Sequence, residues 1–154
     1  MADAKLVELA KQVVTDLNAG TFETTFTASR SYVPRNALED TGSLKVLVTM
    51  SGWRAAPDNR AEWDYEYDID VGVLFRAAAS GGVEATTTFD TYVRLLEQIS
   101  DLFRFTRPAV TSTPYWLETI SYGGPSGLPY FPDHIEQFNQ FTGVVRLTFR
   151  GMRS

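Results

Sequence analysis

Four acidic residues alternate with mainly apolar residues in the middle of the chain, and their spacing suggests chemistry more readily than any other group does. They are Asp64, Glu66, Asp68 and Asp70. Successive side chains of a strand point to opposite faces, so these carboxylates should share one face and the apolar residues between them the other. Carboxylate oxygens suit Mg²⁺ or Mn²⁺, and a small metal-dependent enzyme could use Asp68 and Asp70 as ligands.

The same carboxylates also have a non-catalytic explanation. A metal-dependent nuclease usually adds a nearby lysine or histidine and further acids from other elements, and none is evident in the sequence. A row of acids on one strand is more often a sheet surface that faces solvent or another subunit. The last predicted strand places Arg146 and Arg150 on its polar face, where they could pair with the acids across strands or across subunits. We therefore expect no catalytic residue, metal or cofactor.

The remaining candidate groups for catalysis are few. The chain has no cysteine, which excludes disulfides and thiolate metal sites, and its one histidine is His134. A lone histidine near a loop is usually a polar surface residue, so we do not expect it to act as a base. The glycine pairs Gly81-Gly82 and Gly123-Gly124 lack the lysine and hydroxyl of a phosphate-binding loop, and they are interpreted as turns.

Length and charge narrow the possible partners. A chain of 154 residues with 44% hydrophobic residues fits one folded domain, 1–154. The net charge of -5 disfavours a protein that coats nucleic acid through phosphate contacts. The same sign would suit the wall of a channel through which DNA slides without binding.

The ends and apolar runs of the sequence give no sign of membrane targeting. The opening residues, from Met1 to Lys5, lead directly into an amphipathic pattern with charges, which is unlike a signal peptide. No apolar run approaches the ~20 residues that span a bilayer. We expect a cytoplasmic protein without membrane contact.

Two helices are predicted from apolar periodicity. The first covers 2–18, with Gly20 at the position of a C-cap glycine. The second covers 89–105, with a capping box at 87–90 and Pro108 closing it.

Five strands are predicted around these helices, at 22–29, 44–50, 63–76, 115–122 and 140–150. The element order is αβββαββ. This order favours a single α+β domain in which a mixed or mainly antiparallel sheet carries both helices on one face.

Three predicted connections, 51–62, 77–86 and 123–138, are longer than a compact domain needs, and the last includes a short helical turn at 133–137. Loops rich in aromatic residues often hold partner contacts. The candidate docking residues of the first and third connections are Trp53, Arg54, Trp63, Leu128, Tyr130 and Phe131. A monomeric module that binds a peptide through these two loops is one hypothesis.

Several segments together resemble a known family. They are the helix end Leu17-Asn18-Ala19-Gly20, the strand that follows it, the segment Arg30-Ser31-Tyr32-Val33-Pro34-Arg35, the strand at 44–50, the alternating strand before Phe75 and the closing strand at 141–150. In order, length and these segments, the chain resembles the small tail-terminator or tail-completion proteins of tailed bacteriophages.

The resemblance implies a structural virion protein without enzymatic activity. Such a protein forms a ring, usually a hexamer, that assembles in the host cytoplasm, caps the tail tube and joins it to the head-tail connector or another neck protein. DNA passes through the lumen without specific binding. The four carboxylates with Arg146 and Arg150 would then line either the lumen or the seam between subunits. Another neck or head-completion protein is the alternative within the same setting.

Overall fold

Five strands form one sheet in the order β1-β2-β3-β5-β4, and three helices pack on it. The computed structural model describes residues 3–33, 43–77, 83–105 and 115–153. Its elements are α1 (Lys5–Ala19), β1 (Ala28–Ser31), β2 (Lys45–Pro57), β3 (Trp63–Arg76), α2 (Val83–Phe105), β4 (Tyr115–Tyr122), α3 (Pro132–Phe138) and β5 (Gln140–Arg153). The β1–β2 pair is parallel and the other pairs are antiparallel, so the predicted α+β fold with a mixed, mainly antiparallel sheet is confirmed.

The apolar face of the sheet forms the core. The side chains of β3 on this face include Ile69 and Val71, which lie opposite Leu147 and Val145 of β5. Both α1 and α2 cover this face, as the sequence predicted, and their buried residues join one cluster with the strands. The contact with α2 is close: a Cβ on Gly143 would lie 2.5 Å from Leu96 Cδ1.

The long β2–β3 hairpin corrects the prediction of a loop at 51–62. Strand β2 continues to Pro57, and a bulge between Met50 and Gly52 shifts its pairing with β3 by one residue. Glycine and proline suggested a loop, but Gly52 makes room for the Asp68 carboxylate, whose Oδ2 would lie 2.7 Å from a Cβ at that position. Only 58–62 form the turn.

The helices differ from the prediction mainly at their ends. Helix α1 ends at Ala19, and Gly20 caps it as expected, although in an extended conformation with φ −73°. Helix α2 begins at Val83, so the predicted capping box at 87–90 is wrong because these residues lie inside the helix. There the Thr91 hydroxyl donates to the Thr87 carbonyl, as threonines do within helices. The predicted stop at Pro108 lies outside the described residues.

In the structure, the strand predicted at 22–29 is replaced by the shorter β1, which begins only at Ala28. Phe22 and Phe26, with ring centroids 5.0 Å apart, pack against the core from an irregular segment. The Asn18 side chain then pairs with both backbone groups of Ala28, where β1 begins. Residues 34 and 35 of the segment that carried the family resemblance lie outside the described residues, as do 78–82 of the predicted link at 77–86. The prediction of a link is wrong for 83–86, which belong to α2.

Helix α3 lies on the other face of the sheet. It extends the predicted turn at 133–137 by one residue at each end, and its C-cap, Asn139, adopts a left-handed conformation with φ 52°. The segment before it is held to β5, because Val144 N–H donates to Pro129 and Phe131 N–H donates to Thr142. Among the described helices, none has the length and hydropathy of a membrane span.

Candidate functional site

The face of the sheet opposite α1 and α2, called here the polar face, contains two different regions. In β3 it is formed by the even-numbered residues, from Asp64 at the hairpin end to Arg76 at the other. The first region is an arginine–carboxylate network made by Asp64, Glu66, Asp68, Asp70, Arg54, Arg146, Arg150 and Glu118. The second is a cleft between the sheet and α3.

Arg54 joins two carboxylates at the hairpin end of the network. Its guanidinium donates to Asp68 at 2.7 and 3.2 Å and to Glu66 at 2.9 and 3.1 Å. The Thr148 hydroxyl donates to the same Asp68 carboxylate from β5 at 2.8 Å. Asp68 therefore connects three strands through one buried carboxylate.

Two arginines of β5 complete the network. Arg146 binds Asp70 through two hydrogen bonds of 2.8 and 3.0 Å, the forked geometry that is specific to guanidinium and carboxylate. Arg150 binds Asp64 in the same way and also donates to Glu118 of β4 at 2.9 Å. The sequence-based expectation that Arg146 and Arg150 pair with the acids is confirmed for pairs within one chain.

The network lowers the cost of placing so many acids together. The hydrogen bonds from Arg54 are the main reason why the pKa of Asp68 lies below its usual value, and burial opposes that shift. The pKa of Arg146 is raised, chiefly by its bond to Asp70. Five carboxylates and three guanidiniums take part, so the region keeps two net negative charges.

The positions of Asp68 and Asp70 do not favour a metal site. Both lie on the polar face, as predicted, but guanidinium or hydroxyl groups occupy both oxygens of each carboxylate. Within the described ranges, no group of three or more histidine and acidic side chains is arranged to hold an ion. A cation could bind there only by displacing Arg54 or Arg146.

The cleft lies at the other end of the polar face and has a volume of about 270 Å³. Its floor is apolar, and one wall is formed by the half-buried rings of Phe131 and His134, which stack with centroids 5.0 Å apart. Gly72 leaves the centre of the floor bare, since a Cβ there would find only backbone oxygens, at 3.7 Å or more. The lining also includes Leu47, Thr49, Asp70, Leu74, Val144 and Arg146.

A short hydrogen-bond chain fixes the histidine wall. Gln140 Nε2 donates to Thr142 Oγ1, and the same oxygen lies 2.9 Å from His134 Nδ1. We expect the hydroxyl hydrogen of Thr142 to be directed to Nδ1 and the imidazole hydrogen to lie on Nε2, because the hydroxyl then accepts one hydrogen bond and donates one. These hydrogen bonds hold the His134 ring in place as a wall of the cleft.

The predicted docking residues occupy different settings. Trp53 and Arg54 belong to β2, and Trp63 is the first residue of β3, so the assignment of Trp53 and Arg54 to a loop is wrong. Trp53 and Trp63 are 57% and 47% exposed. The other three precede α3: Leu128 is exposed, while Tyr130 packs against Phe141 and Phe131 lines the cleft.

Sequence reasoning missed the cleft and part of the network. The cleft is assembled from β2, β3, β5 and α3, and the spacing of residues within one element does not reveal it. Arg54 was missed as a network member because β2 was predicted to end before it. The sequence did contain a signal for a longer β2. The alternating pattern of β3 covers 14 residues, and a strand of that length needs a neighbour of similar length, which the preceding strand can supply.

Comparison with known proteins adds no family assignment. No protein-family model matches the chain, and no curated protein matches it.

Proposed function

We propose that this chain is the subunit of a ring, most simply a hexamer, that terminates the tail tube of a bacteriophage and joins it to the head-tail connector. The observation that carries the proposal is the arginine–carboxylate network. It cross-links β2, β3, β5 and β4 on one face and still leaves that face negative. The resemblance of the sequence to tail-terminator proteins supplies the biological setting.

The network suits a surface past which DNA moves. Each phosphate of the duplex carries a negative charge, and protein surfaces bind DNA chiefly by neutralising phosphates with lysine and arginine. Here the arginines are already bound to carboxylates, so they are poor phosphate ligands, and the remaining negative charge repels the duplex. A lumen wall of this kind permits passage without specific binding.

The surface also offers the two different patches that a cyclic assembly needs. Head-to-tail contact joins one patch of a subunit to a different patch of the next, and it closes a ring when the rotation between copies allows. The exposed tryptophans of the hairpin and the cleft lie at opposite ends of β3. Another neck or head-completion ring would use the same features and is the alternative.

Genetic inactivation tests the proposal and separates it from the alternative. Without a tail terminator, tube polymerisation loses its stop, so electron micrographs should show tails of abnormal length that are not joined to heads. Tails of normal length beside unjoined or leaking heads would indicate a head-completion protein instead. Normal infectious particles would contradict both proposals, and an intact plasmid copy of the gene provides the control.

A further inference from the structure

The cleft has the size and shape of a site for one planar ring. A water molecule takes about 30 Å³ of liquid, so a cavity of about 270 Å³ has room for about nine non-hydrogen atoms, the number in indole. The flat sheet at Gly72 and the stacked rings of Phe131 and His134 bound it. Aromatic rings pack well against such aromatic walls.

The polar groups of the cleft suit a ring that carries an N–H donor. Thr49 is buried in the lining, and its hydroxyl has no hydrogen-bond partner among the described residues. Asp70 lies directly across from Thr49 in the strand pairing and adds carboxylate oxygens to the lining. An indole nitrogen could donate to either acceptor while its rings cover Leu47 and Val144.

The chain itself presents an indole at the hairpin end of β3. Trp63 is 47% exposed, and no ring contact involves it among the described residues, whereas Trp53 packs against Tyr67 with centroids 5.9 Å apart. Trp63 lies on the apolar side of β3 and nine residues from Gly72, roughly 30 Å along the strand. It cannot reach the cleft of its own copy.

Charged side chains lie near both ends of β3. The hairpin turn contains Asp58 and Glu62, which share hydrogen bonds with the Asn59 amide, and one cation, Arg60. Its net charge is negative. At the cleft end, Arg76 lies two residues beyond Leu74 on the same face of β3, and it makes no ion pair within the part of the chain that the structure describes. Helix α3 adds Asp133 and Glu136 beside the cleft, so the match between the two ends rests on the size and polar groups of the cleft and not on charge.

We propose that the cleft of one copy receives the indole side chain of Trp63 from a second copy and so forms the head-to-tail contact between subunits. The inference rests on the proposed ring function and specifies the two patches that the ring joins. A contact of this kind is heterologous, because the donor and the acceptor are different surfaces.

Two complementary variants test the contact by sedimentation equilibrium. Trp63→Ala removes the donor and leaves the cleft, while Gly72→Val fills the cleft and leaves the donor. We expect the wild type to associate, each variant alone to remain at the monomer mass of 17.2 kDa, and an equimolar mixture to form a species of two chains. The pair is possible because the tryptophan of the Gly72→Val copy can enter the cleft of the Trp63→Ala copy.

The matched control is Trp116→Ala, which removes another exposed tryptophan, on β4, and should leave association unchanged. If Gly72→Val fails to fold by circular dichroism, free indole replaces it: indole added to the wild type should dissociate the oligomer. A wild type that stays monomeric, variants that associate like the wild type, a mixture that stays monomeric, or an oligomer unaffected by indole would each overturn the contact. Variants that still form rings would leave the proposed function standing.

Discussion

The two ends of the polar face are built from the same strands, but their side chains are covered in different ways. At the hairpin end, alternate residues of β3 are acids, and three arginines satisfy them within the chain. At the other end, alternate residues are Gly72 and Leu74, and the covering helix leaves a cleft. The network end is closed on itself, whereas the cleft end has unfilled apolar volume. Open apolar volume, more than charge, marks the place where a partner gains most by binding.

The largest expected effect comes from a pair of glycines on adjacent strands and opposite faces. Gly143→Val would drive its Cβ into the buried Leu96 side chain, and overpacking of this kind should destabilise the fold by about 3 kcal/mol. Gly72→Val points into the cleft and should change the free energy of unfolding by less than about 1 kcal/mol. Urea denaturation measures both. Equal losses would mean that the cleft has no spare room.

The next largest effect tests whether the network end depends on its buried acid. Asp68→Ala removes an acceptor that serves Arg54 and Thr148, and hydrogen bonds to charged groups are worth about 2 kcal/mol. Glu66→Ala is the matched control, since it takes another acid from the same arginine, but the Glu66 side chain is 34% exposed. Its loss should cost less than about 1 kcal/mol. Chemical denaturation that ranks Glu66→Ala as the more harmful would contradict the assigned role of Asp68.

A smaller loss of stability is expected at the wall of the cleft. Thr142→Val removes the hydroxyl between Gln140 and His134. Because a neutral hydrogen bond contributes about 1 kcal/mol, the free energy of unfolding should fall by about that amount. In the wild type, nitrogen chemical shifts should show the His134 hydrogen on Nε2. A hydrogen on Nδ1 would reverse the direction of the Thr142 bond and contradict this account of the wall.

The smallest effect is a change in how stability depends on pH. The Arg54 contacts lower the pKa of Asp68 in the folded state. The stability that ionised Asp68 adds to the fold is therefore complete at pH values above its unfolded pKa of about 4. It is lost as the pH falls through the lower folded pKa. The difference in urea midpoint between wild type and Asp68→Asn should therefore shrink as the pH falls from 5 toward 2. Asp90→Asn, on the exposed side of α2, controls for net charge. A difference that grows toward low pH would contradict the sign.

The sequence predicted the elements whose signals are local and periodic. The apolar stripe of α1 and the alternation of β3 and β5 gave these elements nearly correct bounds, and the alternation also placed Arg146 and Arg150 on the face of the acids. It failed where long-range pairing overrides local signals. Gly52 and Pro57 suggested a loop, but pairing with β3 holds them in a strand. The cleft depends on four elements meeting, which the sequence pattern does not encode locally.

The structure also changes what loop deletion would do. Residues 51–57 cannot be trimmed like a free loop with folding left intact, because they belong to β2 and pair with β3. Trimming 123–131 would remove the hydrogen bonds to Thr142 and Val144 and uncover the cleft. Within 51–62, only the turn at 58–62 can be shortened without loss of strand pairing, and it lies beside the proposed donor Trp63.

The central claim, that this chain forms a ring at the neck of a phage particle, is tested most directly by electron cryomicroscopy of purified virions carrying an affinity-tagged copy. The account predicts one ring of this chain at the head-proximal end of the tail tube, with the arginine–carboxylate network facing either the lumen or the seam between subunits. Virions that contain no copy of the chain, or copies distributed along the whole tail, would contradict it.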